Sequence, residues 1–94
     1  MFDYKGFMQD FAIADAFGER AVRDTAKRAR AEWKDNVQYY ASLVMTLNHR
    51  IWFWHDRGNE KMARLYDELW RAAHRFGCEH FKGEDAMYYY EFLD

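Results

Sequence analysis

Apolar positions recur at steps of three and four through the middle of the chain: Val22, Ala26, Ala29, Trp33, Val37, Tyr40, Val44, Leu47, Ile51 and Trp54. An α-helix turns once in 3.6 residues, so this spacing puts all ten side chains on one face, and the chain has no proline to interrupt it. Asp35-Asn36 is the one candidate break before Gly58. These residues have modest helix propensity and suit a cap, but they do not forbid continuation, and the apolar phase passes across them unchanged. The pattern predicts one helix from Glu19 to about Asp56, roughly 55 to 60 Å long at 1.5 Å per residue. Two helices with a kink at Asp35 are the alternative.

The flanking segments are shorter. Phe7, Phe11, Ala14 and Phe17 fall at helical spacing and predict a helix from about Phe7 to Ala16, preceded by irregular residues that include Phe2 and Tyr4 and followed by a turn at Gly18. Arg57-Gly58-Asn59 reads as a tight turn, with Gly58 suited to the left-handed position after a helix end and Asn59 to the next N-cap. The helix from Glu60 to about Phe76 then presents Met62, Leu65, Tyr66, Leu69, Trp70, Ala73 and Phe76 on one face. Packed antiparallel, it covers the Val37 to Trp54 half of the long helix. Gly77 weakens its end. A closing element, Glu84 to Leu93, carries Met87, Tyr88, Tyr89, Tyr90, Phe92 and Leu93. The fold class is all-α, a small helical bundle built on a long hairpin with short terminal helices, in one domain over residues 1–94. The small inner face of residues 20–34 still needs cover, either from a folded-back N-terminal segment or from another chain.

Composition narrows the class. Half the residues are hydrophobic, with eight Phe, four Trp and seven Tyr, which argues against disorder. No apolar run approaches the ~20 residues of a membrane span, no basic-then-apolar leader opens the chain, and the single Cys78 fits a reducing compartment, so a cytoplasmic protein is expected. A net charge of −2 is too small to argue for a nucleic-acid binder by itself. Its distribution is uneven: residues 20–34 hold six bases against Asp24 and Glu32, and the chain from Glu79 onward holds five acids and Lys82.

The strings from Ile13 to Thr25 (IADAFGERAVRDT), Glu32-Trp33-Lys34, from Leu43 to Trp52 (LVMTLNHRIW), from Leu65 to Trp70 (LYDELW) and Lys82-Gly83-Glu84 resemble a family of short uncharacterised proteins carried by phages and conjugative elements of gut bacteria. The resemblance implies a mobile-element origin, in which small proteins act by binding host or defence proteins. It assigns no functional residue.

Three chemistries have candidate residues. His74, Cys78 and His80 lie close in sequence, but a zinc site would need Glu79, His49 or His55 to complete it, and the spacing matches no zinc pattern, so no metal or other cofactor is expected. Arg20, Arg23, Lys27, Arg30 and Lys34 share a face and would suit phosphates, while a solvated face or an acidic protein partner explains them better. No phosphate loop, nucleophile elbow or His-Glu-x-x-His pattern is present, and an enzyme is not expected. Within the long helix, wheel geometry sets Asn48 and Arg50 on the rims of the stripe and His49 outward, for rim hydrogen bonds or a polar contact that fixes pairing register.

The aromatic residues point to protein binding. Met45, Trp52 and Phe53 lie off the main stripe, and with Tyr88 and Tyr89 they form the expected partner-binding patch unless the chain ends cover them. The expected function is a non-enzymatic protein-binding module of a phage or mobile element, an anti-CRISPR-like inhibitor of a host defence protein being its specific form, with a homodimer possible. A nucleic-acid-associated accessory protein and a self-assembling homo-oligomer are the alternatives.

Overall fold

The computed structural model describes residues 4–93, with side chains from residue 6. Phe2 and the side chain of Tyr4 lie outside the described residues. Five helices account for almost all of the chain, and no strand occurs among the described residues: α1 (Tyr4–Phe17), α2 (Glu19–Trp33), α3 (Val37–Asp56), α4 (Glu60–His80) and α5 (Gly83–Leu93).

The expected continuous helix is two helices. Lys34 closes α2, and the Asn36 amide bonds the Trp33 carbonyl at 3.0 Å. Asn36 itself is extended, with φ −122° and ψ 101°, and its side chain accepts from the Tyr39 amide at 3.2 Å to start α3. A helix over residues 19–56 would be about 57 Å long. The whole molecule extends 39 Å, so the break folds α2 back beside its neighbours. Apolar phase survives the break because both helices aim their stripes at the same core.

The α3–α4 hairpin forms at the expected turn. Gly58 takes φ 75°, and the Arg57, Gly58 and Asn59 amides return to the last carbonyls of α3. The Asn59 side chain then caps α4 through the Met62 amide at 3.1 Å. Helix α4 continues past Phe76 to His80, through Gly77. There a Cβ would meet the Tyr89 ring at 2.5 Å, so glycine is what lets α5 approach.

Helix α1 supplies the cover that α2 lacks, with Phe7, Phe11 and Ala14 buried, but Phe17 is 79% exposed. The core joins these to Val22 and Ala26 of α2, Tyr40, Leu43, Val44 and Leu47 of α3, Leu65, Tyr66 and Ala73 of α4, and Phe81 and Tyr89 near the C-terminus. Three of its hydroxyl groups are bonded in place. The Tyr40 hydroxyl donates to the Ala73 carbonyl at 2.6 Å, and Ser42 and Thr46 donate to carbonyls one turn back in α3.

One buried ion pair ties three helices together. The Asp15 carboxylate of α1 accepts from the Arg50 guanidinium and the Trp54 indole of α3, the latter at 3.1 Å, and from the Tyr66 hydroxyl of α4. The Asp15 and Arg50 side chains are 7% and 6% exposed. Arg50 is therefore core and not rim, and its polar contact is internal to the chain. His49 is exposed, as the wheel has it.

Candidate protein-binding groove

Helices α2 and α4 run side by side and leave an open groove of about 540 Å³ between them. Its apolar lining is Ala26 and Ala31 of α2 with Leu69, Ala72 and Phe76 of α4. The walls carry Arg23, Lys27, Arg30 and Lys34, four of the five residues of the predicted basic face, together with Glu68. Arg20 is exposed and lies outside the groove. The periodicity of α2 explains the arrangement. Ala26 turns inward while the cations one turn either side of it reach over the rim, and long basic side chains lay their methylenes along apolar surface with the charge in water.

The cations differ in their commitments. Arg23 is engaged: its Nε donates to Glu19 at 3.0 Å, and its Nη atoms donate to the Glu68 carboxylate across the groove mouth. Those bonds hold the guanidinium pKa above its ordinary value and, through Arg23, the Glu68 carboxyl below the usual carboxylate range. Arg30 sits 5.8 Å from the Phe76 ring centre and partly offsets the rise that burial imposes on Tyr40, whose hydroxyl is pushed up to about 12. Lys27 and Lys34 are exposed and make no ion pair among the described residues. The groove thus offers an apolar floor with exposed positive charge on its α2 wall.

The five aromatic and methionine positions expected on a binding patch are not brought together. Tyr89 is fully buried against Gly77, Tyr40 and Phe81, because α5 docks by its central tyrosine. Phe53 is half-buried, with the Arg57 and Arg50 guanidinium groups 3.5 and 4.1 Å from its ring centre. Met45 lines a crevice of about 210 Å³ with Asn48, Trp70, His74, Tyr90 and Leu93. Tyr88 stacks on Phe92. Trp52 alone among the five stands in solvent, 56% exposed, with its ring edge to His55.

The histidines and Cys78 do not converge on a metal. His74 and Cys78 do share a face, with Sγ 3.6 Å from Nε2, but the other ring nitrogen of His74 meets the Tyr89 hydroxyl at 2.9 Å. His80 turns to Asp35 at 3.1 Å and His55 to Glu60 at 3.1 Å. Among the described residues no three His, Cys, Asp or Glu side chains are grouped to hold an ion.

Sequence reasoning found the basic wall of the groove and assigned its floor to the core. Leu69 and Phe76 sit on the expected buried stripe, yet both are only half-buried and line the groove between α2 and α4. The signal was in the pairing of two rows: alanines at 26 and 31 of α2 leave room that Leu69, Ala72 and Phe76 do not fill. Among the described residues no helix is long and apolar enough to cross a membrane. No protein-family model, curated protein or solved structure matches this chain.

Proposed function

We infer that this chain is a non-enzymatic protein-binding module whose α2/α4 groove receives an acidic amphipathic helix of its partner. The observation that carries this reading is the convergence of Lys27, Arg30 and Lys34 on a groove floored by Ala26, Leu69, Ala72 and Phe76. A helix laid between two helices buries its apolar stripe on such a floor and sets flanking carboxylates against the cations. A phosphate backbone gains nothing from the apolar floor. The resemblance to phage and conjugative-element proteins makes a cytoplasmic host defence protein the proposed partner class, with inhibition of a CRISPR effector its specific form.

Fluorescence polarisation tests the groove with two probes: a labelled peptide of about 18 residues, with leucines at helical spacing between rows of glutamate, and a labelled DNA duplex of similar length. The peptide is expected to bind and the duplex not to. Lys27→Glu with Lys34→Glu should weaken the peptide about tenfold or more, and added salt should weaken it further. Equal binding of a scrambled peptide, indifference to the charge reversals, or preference for the duplex would each overturn the reading.

A further inference from the structure

A second open groove, of about 690 Å³, lies between α2 and α1. Phe11, Ala14, Ala21, Ala29 and Trp33 line it, and Ile13 and Phe17 stand at its α1 edge, 54% and 79% exposed. Two large apolar side chains so exposed beside a groove of mixed apolar and charged lining suit a contact surface.

Charge on this flank of α2 says what the contact is. Arg20, Asp24, Arg28 and Glu32 follow each other at steps of four and so form one row, reading plus, minus, plus, minus. Asp24, Arg28 and Glu32 line the groove together with Lys27 and, from α1, Asp10, and Arg20 extends the row by one turn. All four are exposed, and none makes an ion pair within the chain among the described residues, although neighbours in the row are within reach of one another. An alternating row of even length is complementary to its own reverse. Laid antiparallel on a second copy about an axis midway between Asp24 and Arg28, it pairs Arg20 with Glu32, Asp24 with Arg28, and the same again by symmetry. The same rotation carries Phe17, at the α1–α2 turn, to the far end of the partner copy's groove, where Trp33 lies. Knob, hole and charges thus belong to one surface, the condition for a closed two-fold contact.

We propose that the chain forms a homodimer through its α1/α2 face, with the two α2 helices antiparallel. The α2/α4 groove adjoins this face at Lys27, which lines both, while its floor residues Ala26, Leu69, Ala72 and Phe76 lie outside the α1/α2 groove. The dimer does not depend on what that groove binds.

Sedimentation equilibrium over concentrations from micromolar to about 200 µM reads the association directly. Wild type is expected to be dimeric at the upper end. Phe17→Glu should raise the dimer dissociation constant about tenfold or more while leaving the thermal melt of the fold intact, since Phe17 is already exposed. Asp24→Arg places arginine against Arg28 twice per dimer and should do the same, and the swap D24R/R28D should restore association to near wild type. That rescue separates an intermolecular pair from a general charge effect, and R28D alone serves as the reciprocal if D24R folds poorly. A monomer at every concentration, a dimer indifferent to F17E and D24R, or a swap that fails to recover would each overturn the proposal.

Discussion

Replacing Asp15 by alanine removes the acceptor that joins α1 to α3 and α4. Three donors lose their partner: the Arg50 guanidinium, the Trp54 indole and the Tyr66 hydroxyl. The Arg50 side chain is 6% exposed and its Nε already lacks a partner, so water cannot take over the lost bonds without opening the core. Breaking a buried ion pair from one side costs about 3 to 5 kcal/mol, chiefly through the charge left behind. Against the roughly 5 to 15 kcal/mol of a domain this size, that is about a fifth of the total or more. At about 4 to 8 °C per kcal/mol the melting temperature should fall by more than about 12 °C. Urea titration followed by Trp fluorescence and far-UV circular dichroism gives the difference, and the two probes together test whether α1 detaches alone. The double variant D15L/R50M, which replaces the pair by apolar groups, should lose far less than D15A, since it strands no charge. The reasoning fails if D15A costs under about 1 kcal/mol, which would mean that Arg50 finds solvent easily, or if the double variant is no better than the single.

Alkaline pH should unfold the protein. Burial raises the hydroxyl pKa of Tyr40, Tyr66 and Tyr89, to about 12 for Tyr40, and the Asp15 carboxylate adds to the rise at Tyr66. The folded state therefore keeps these protons where the unfolded chain has lost them. The stabilisation is fully present below pH ~10 and declines above it by about 1.4 kcal/mol per pH unit for each tyrosine. Tyr40→Phe should remove one proton from the linkage slope, a change that stability curves at several pH values between about 9.5 and 12 would show or exclude. Gly77→Ala, a favourable change in an ordinary helix, should instead destabilise by about 1 to 3 kcal/mol, because its Cβ would lie 2.5 Å from the Tyr89 ring; a gain in melting temperature would contradict the tight α4–α5 contact. Asn36→Ala should cost about 1 kcal/mol in denaturant titration by removing the α3 cap, and a stabilised variant would mean that the helix prefers to run on.

The class of fold and most of its elements were legible in the order of residues along the chain. Steps of three and four, without proline, admit helices and nothing else, and Gly58-Asn59 placed the hairpin turn because one supplies a left-handed backbone and the other a cap acceptor. The basic face of α2 was equally legible, since one helix fixes which of its own residues are neighbours. The tertiary structure decided whatever depends on two helices at once. Periodicity cannot tell one helix from two that share a core, so the break at Asn36 followed from packing and not from phase. A lone charge such as Arg50 reads as rim until a partner 35 residues away makes burial affordable, and Asp15 gave no local sign of being that partner. Tyr89 and Phe17 exchanged their expected places for the same reason: helical spacing gives each residue a direction, while burial depends on whether another element arrives on that side.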